Sequence, residues 1–427
     1  MPTRITLLLL FILNTVVSFS QETPTAYTGA LIYTINGNPL ENGTLIIQDG
    51  NILDVGTDIK IPKNAVIINV KGKVIMPGLV DTHSHLGNGS GGDRSSALHP
   101  DVRLLDALDP MAVDLMKARS GGITTVNIMP GSGHLMSGQT VYIKTKKGKT
   151  IEDLTFCKNV SSEICGGMKM ANGTNSIRDK PFPGTRAKSA AMVREQFIKA
   201  QEYQKKLINS KATPSDAPER DLKMEGLVEV LNGKRIVHFH THRHDDVLTA
   251  IRISQEFGFK IVLHHVSEAW KVADEIAKAK VPVSMIFIDS PGGKMEAVDL
   301  DPISGAVLEK AGVDVAFHTD DPITDSRLFM RSAAIAVREG MSKPKALEGL
   351  TLAGARMLEL DDRIGSLEKG KDADFIILSG DPFSVYTHIE QTWIEGIKVF
   401  DRTDEQDKLY VVGGYKVYPE TTTHVHD

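Results

Sequence analysis

Cysteine is nearly missing from this chain: Cys157 and Cys165 are the whole supply in 427 residues. That excludes a disulfide-stapled fold, and neither residue stands in a CxxC or CxxH pattern, which excludes the common cysteine-based zinc modules. In an oxidising compartment the two would form one local disulfide; as unpaired buried thiols they would carry no function. Charge of one sign is also lacking. A net charge of −5, with no long run of like charge, leaves no electrostatic footprint for nucleic acid or for anionic membranes. Internal repeats and low-complexity tracts are absent, and beyond residue 17 no apolar run is long enough to span a bilayer.

The first residues, MPTRITLLLLFILNTVVSFSQE, hold one cation (Arg4), an apolar run over residues 5–17 and the small-residue exit Ser18-Phe19-Ser20. This is the pattern of a secretory signal peptide over residues 1–20, cleaved before Gln21. The run falls short of the ~20 residues of a membrane anchor, and no cysteine follows it for lipid attachment. The expected mature protein is soluble, exported to the periplasm or medium, and without an integral membrane segment.

Both ends of the mature chain read as short strands and tight turns: GALIYTI, NGTLIIQDGNILDVG and AVIINVKGKVI early, KGKDADFIILSGD and QTWIEGIKVFDR late. Between them apolar strands alternate with helical stretches such as AMVREQFIKAQEYQKKL and DDVLTAIRISQEFG, the signature of a parallel sheet wrapped by helices. Eight strands can be counted: VIMPGLVDTHSH, GITTVNIM, TVYIKTK, GMKMAN, RIVHFHTH, KIVLHHVS, VPVSMIFI and DVAFHTDD. The expected fold is α/β, a (β/α)₈ TIM barrel over residues 76–360. A small β-sandwich would form from residues 21–75 and 361–412, and residues 413–427 would be a polar tail. Little between the third and fourth strands reads as helix.

The chemistry gathers at the strand ends, where barrel active sites lie. Strand one ends in His83 and His85, strand five in His240 and His242, strand six in His264 and His265. Strand eight closes with His318-Thr319-Asp320-Asp321, and the short fourth strand carries Lys169. A single histidine there would be an ordinary hydrogen-bonded core residue. Four of eight ends carrying such residues, with i and i+2 on one strand face, point to a metal.

PGLVDTHSHLG resembles the signature of the amidohydrolase superfamily of metal-dependent hydrolases. GITTVNIMPGSG, MKMANGTNS, HRHDDVLTAIRISQEFG, VLHHVSEAW and AFHTDDP resemble successive blocks of its imidazolonepropionase-like or prolidase-like branch, and GARMLELDDRIGSLEKGKDADFIILSGDPF matches the return to the small β-domain. The resemblance covers nearly all the mature chain and implies the same barrel with a β-sandwich from both termini. It further implies that His83, His85, His240, His265 and Asp320 bind divalent metal, with Asp320 as the proton acceptor from water and His265 beside it at the reacting centre. Neighbouring residues leave three shifts open: His242 for His240, His264 for His265, Asp321 for Asp320. Strand alternation allows only one of His264 and His265 to point inward. In many members a strand-four lysine is carboxylated and bridges two metals, which implies this role for Lys169; imidazolonepropionase itself lacks it and uses one ion. The cofactor is then one or two divalent ions, zinc first.

Three residues are candidates for binding a small-molecule substrate. Arg243 can clamp a carboxylate or pair with Asp245 or Asp246. His134 sits in the glycine-rich MPGSGHLMSGQ, expected as a solvent-exposed loop over the site, and Arg186 follows strand four in FPGTR. The expected activity is hydrolysis of an amide-type C–N bond, a dipeptidase of Xaa-Pro type being one form. A deaminase would want a glutamate after strand five, and HFHTHRHDD has none. A non-catalytic scaffold should lack some metal ligands, and every expected position is filled. Relatives often assemble as homo-oligomers.

Overall fold

The computed structural model describes residues 22–89, 92–211, 215, 217–287 and 294–412. The expected signal peptide and the polar tail lie outside the described residues. Cys157 and Cys165 form a disulfide, closing a short loop ahead of the Lys169 strand.

Both chain ends contribute to one eight-stranded mixed sheet. Its order is Ile397–Asp401, Ile389–Ile394, Phe375–Leu378, Val74–Pro77, Thr25–Ile32, Leu40–Gln48 and Asn51–Gly56, with Val66–Asn69 also paired to Thr25–Ile32. A separate core fills it: Ala30, Ile32, Leu45, Ile52, Ile75 and Phe375 are buried. Phe375 and Trp393 stack at 5.5 Å, and Tyr27 meets both edge-on at 5.1 and 5.5 Å. Each such side chain contributes about 1.5–3 kcal/mol on burial.

The middle of the chain is α/β. Met168–Ala171, Val237–Thr241, Ile261–His265, Val283–Met285 and Val315–Phe317 run parallel in that order. The intervening helices include Arg186–Asn209, Leu222–Leu231, His244–Phe257 and Ser304–Ala311. Their boundaries follow from local chemistry. The Thr185 hydroxyl accepts the Lys188 N–H at the first of these, Asp221 accepts two N–H groups at the second, and Gly258, at φ 73°, ends the third. Strands Leu79–Ser84 and Ile123–Ile128 form a second parallel pair around helix Val113–Ser120.

Two strand readings need correction. VIMPGLVDTHSH is not one strand: Val74–Pro77 belongs to the mixed sheet and Leu79–Ser84 to the helix-wrapped part. Gly78 makes the junction, where a Cβ would lie 2.2 Å from the Thr124 side chain. TVYIKTK does not run parallel to its neighbours. Val141–Lys144 is antiparallel to Ile123–Ile128, and Met136–Gln139 just before it is antiparallel to Met168–Ala171. The link from Ile128 to Val141 holds the strand Met136–Gln139 instead of a crossover helix, so the chain turns back antiparallel.

Backbone hydrogen bonds join the two parallel sets. Asp320 N–H donates to His83 O at 2.8 Å and His85 N–H to Asp321 O at 3.3 Å, while Thr140 N–H donates to Gly167 O at 3.0 Å. The first two place the ends of Leu79–Ser84 and Val315–Phe317 side by side.

Candidate metal centre

The tips of these strands carry a buried histidine cluster. His83 and His85 leave Leu79–Ser84 on one face, and Asp320 comes to them from the turn after Val315–Phe317, where its φ is 51°. His85 Nε2 stands 2.9 Å and His83 Nε2 3.3 Å from Asp320 Oδ1; His265 Nε2 is 3.9 Å from Oδ2. Three sets of side chains each bring their ligand atoms within 4.8 Å of one another: His83, His85 and Asp320; His83, His265 and His318; His240, His242 and His265. Lys169, fully buried on Met168–Ala171, places Nζ 2.9 Å from His83 Nε2 and 3.0 Å from Met129 Sδ. Gly167 lets that strand approach its neighbour, since a Cβ there would be 2.5 Å from His238 Cδ2.

The rings are oriented from behind. His85 Nδ1 lies 2.8 Å from Met129 O, His318 Nδ1 2.7 Å from Ser284 Oγ, and His242 Nδ1 2.8 Å from Ser267 Oγ. Ser284 Oγ in turn meets Thr82 Oγ1 at 2.6 Å. A second tier sits beneath: Tyr142 OH to His238 Nε2 at 2.8 Å, then His238 Nδ1 to His264 Nε2 at 3.0 Å. His240 Nε2 lies 3.0 Å from Asn175 Nδ2.

Electrostatics favour ligand forms. Burial holds His83 and His265 well below the ordinary imidazole range and takes His242 and His318 down to about 3, so each is neutral with a lone pair to offer. Burial takes Lys169 down to about 7. Burial alone would raise Asp320, but its contact with His85 and the charges around it leave it well below the usual carboxylate range. His242 Nε2, His265 Nε2 and His318 Nε2 are buried with no hydrogen-bond partner among the described residues. Each such atom costs about 1–3 kcal/mol if nothing binds it. Several of them in one cluster fit a divalent cation.

Residues 74–413 match the model of the amidohydrolase family. The chain belongs to the amidohydrolase family. As an amidohydrolase it is a metal-dependent hydrolase acting on carbon–nitrogen bonds. A solved amidohydrolase from Thermotoga maritima MSB8 is 35% identical, with a TM-score of 0.83 covering 88% of this chain and all of that one. An imidazolonepropionase from Kosmotoga olearia is 26% identical over 82% of this chain and 86% of its own length. Amidohydrolase tasK of Hapsidospora irregularis is 27% identical over 84% of this amidohydrolase, which spans only 40% of tasK. These likenesses imply the TIM-barrel fold with an additional domain, and the mixed α/β architecture conforms to it.

The structure settles where each residue singled out in the sequence lies. His83, His85, Lys169, His240, His265 and Asp320 come together. Of the open shifts, Asp321 lies outside the three ligand sets: it is ion-paired with Lys117 at 2.8 Å and bonded to Ser326. His242 does not replace His240 but stands beside it, the rings 4.7 Å apart. His264 and His265 both approach His83, ring centres at 5.1 and 4.9 Å, so the alternation argument fails there. The reason is backbone: His265 and Val266 have φ of 70° and 46°, which turns the chain out of the pleat.

The three substrate candidates belong to none of the ligand sets. Arg243 pairs with Asp245 at 2.9 Å, and Arg186 bridges Asp246 and Glu296 at 2.9 and 3.1 Å. His134 is buried, not a solvent-exposed loop residue, with Nε2 3.0 Å from Asp93 O and its ring against Phe182. His318 is the residue to which the sequence pattern alone assigned no role. The two-residue period of a strand was signal enough, since it puts His318 with Asp320 and His242 with His240.

Proposed function

We propose that this amidohydrolase is an exported zinc enzyme that hydrolyses an amide-type C–N bond of a small substrate, a dipeptide of Xaa-Pro type being one form. The observation that carries the reading is the meeting of His83, His85 and Asp320 with Lys169 and His265 in one buried cluster. In this reading the parallel sets close as a TIM barrel that begins at Leu79 and runs to about residue 360, with the strands of both chain ends, Val74–Pro77 included, forming the second domain. His83, His85 and Asp320 would hold one ion and His240, His242 and His265 a second, with Lys169 2.9 Å from His83 as a further residue able to hold metal once carboxylated. His318 is oriented to add a ligand. The neutral amine that burial favours at Lys169 is the form that adds CO₂, losing a proton to become a carbamate. That anion is compatible with two dications where an ammonium is not. Export is supported by the charged-then-apolar leader and by the disulfide, which suits an oxidising compartment. Assembly as a homo-oligomer stays an expectation from the family resemblance.

When bound, the metal supplies Lewis acidity, lowering the pKa of water and polarising the substrate carbonyl. The chain's own part is proton handling and alignment. Asp320, the buried carboxylate among the histidines, accepts the proton of the attacking water and passes it to the leaving nitrogen. A C–O bond forms, the C–N bond breaks, and the proton moves from water to the amine. His265 stands beside that carboxylate, its Nε2 3.9 Å from Asp320 Oδ2, without a hydrogen bond to it.

The test is a screen of the zinc-loaded protein against dipeptides and N-acyl amino acids, run beside Asp320→Asn. The variant should lose at least about a thousandfold in turnover while retaining much of its zinc. Near-native activity in Asp320→Asn would remove the proposed role. A wild-type protein that purifies without stoichiometric metal and turns over nothing in the screen would favour the scaffold reading.

A further inference from the structure

We infer that Tyr142 is a positioning residue for the metal centre, fixing the ring of His83 through His238 and His264. The inference rests on the metal-centre reading above and adds to it three residues that belong to none of the three ligand sets.

A metal-ligating ring needs a partner behind it to set its orientation. For His85, His242 and His318 that partner is a hydrogen bond at Nδ1, made with Met129 O, Ser267 Oγ and Ser284 Oγ. His83 differs. Its Nδ1 is buried without a hydrogen-bond partner, so packing holds the ring. His318 stacks on it, centres 4.9 Å and planes 22° apart, and His264 meets it edge-on at 5.1 Å and 79°. The other rings against it, His85 and His265, are themselves proposed ligands. Of the two braces, His318 is fixed by Ser284. His264 has one side-chain hydrogen bond among the described residues, and it leads away from the cluster.

That bond runs from His264 Nε2 to His238 Nδ1 at 3.0 Å, and His238 Nε2 lies 2.8 Å from Tyr142 OH. All three side chains are buried. The order of the protons follows from the phenol, which has this one hydrogen-bond partner among the described residues and donates to it. His238 Nε2 then accepts, its Nδ1–H donates to His264 Nε2, and His264 keeps its own proton on Nδ1. One hydroxyl thus sets the tautomer of two imidazoles in series. Without it neither ring is tied to that tautomer or tilt, and the brace on His83 loosens.

Tyr142 is itself fixed from the far side. Its ring lies in a small apolar cluster with Val80, Ala355, Leu358 and Ile364. Its N–H donates to Cys165 O at 2.8 Å, and its C=O accepts the Phe156 N–H at 3.4 Å. The Cys157–Cys165 disulfide joins those two flanking segments. The hydroxyl is therefore held at a set place below the histidines before any metal binds.

The test is Tyr142→Phe, which removes only the hydroxyl oxygen, in the full-length protein loaded with zinc or with cobalt(II). Chelator competition should show zinc held about 10–100-fold more weakly than in the wild type. The visible d–d absorption of the cobalt form should change as well, since it reports the arrangement of the ligands and not the stability of the fold. In a His238→Phe background the same substitution should weaken zinc no further, because the column is already cut. Wild-type zinc affinity with an unchanged cobalt spectrum in Tyr142→Phe would overturn the inference. So would a metal-free variant that melts lower while both metal readouts stay as in the wild type, which would make the hydroxyl a plain core contact. Full additivity of the two substitutions would overturn it too, and if His238→Phe does not fold, the cobalt spectrum of Tyr142→Phe decides alone. A wild type that binds neither zinc nor cobalt would sink the metal-centre reading and this inference with it, whereas unchanged metal binding in Tyr142→Phe leaves that reading standing.

Discussion

Lys169 Nζ and His83 Nε2 lie 2.9 Å apart, both side chains wholly buried, where the strand Met168–Ala171 faces the end of Leu79–Ser84. An ammonium there would sit among metal ligands, and burial already draws Lys169 down to about 7. Lys169→Ala is therefore expected to lose zinc and at least a hundredfold in turnover, of the order of one lost metal interaction. Added short-chain carboxylic acids should restore part of the activity. Protein prepared with isotope-labelled bicarbonate should show a carbamate signal in the wild type and none in the variant. A Lys169→Ala protein with full metal and full activity would make this lysine a plain core residue.

Ser284 provides a test of orientation without touching a ligand's donor atom. Its hydroxyl lies 2.7 Å from His318 Nδ1 and 2.6 Å from Thr82. Removing such a support typically costs 10–100-fold in metal affinity. Ser284→Ala should therefore raise the zinc dissociation constant by about that factor, measured by chelator competition, with little change in the unfolding transition of the metal-loaded protein.

Asp321 and Lys117 form a buried pair at 2.8 Å next to the metal-facing Asp320. Removing one partner of such a pair costs about 3–5 kcal/mol, because the other charge stays buried and unpaired. Lys117→Met should lower the denaturation midpoint strongly, and Lys117→Met with Asp321→Asn should recover part of the loss. If the single variant unfolds like the wild type, Asp321 is not held by this lysine.

Asp114 carries a pH dependence away from the cluster. Burial raises its carboxyl from 3.8 to about 6, against the lowering effect of the Gly87 N–H that it accepts. A folded pKa above the unfolded one means a contribution present below about pH 4 and lost as pH rises through about 6. Each tenfold change in proton affinity between the folded and unfolded chain is worth about 1.4 kcal/mol. Asp114→Asn should therefore be more stable than the wild type by up to about 3 kcal/mol at pH 8. The two should be equal near pH 4. Denaturant melts at the two pH values decide it, and a gain of the same size at both would refute the assignment.

The strand ends that carry His83, His85, His240 and Asp320 could be read from the chain alone, because a barrel strand is a short apolar run and its polar exit stands out against it. The same contrast separated the strand-rich ends from the α/β middle. Two kinds of information were not in that pattern. Local repeats do not reveal strand direction, so the antiparallel path of residues 136–144 emerged only from pairing with strands on either side. Nor does a two-residue period survive positive φ, which is why His264 and His265 both reach His83.

Residue types and their spacing along the chain were enough for the metal-ligand chemistry, since imidazole and carboxylate at strand exits have few other reasons to cluster. Partnership was decided by tertiary structure alone. Arg186 is engaged by Asp246 and Glu296, Asp321 by Lys117, and His318 is turned inward by Ser284. Each of these contacts joins residues tens to hundreds of positions apart, and a charge or ring takes its role from whichever group the folded chain puts within about 3 Å of it.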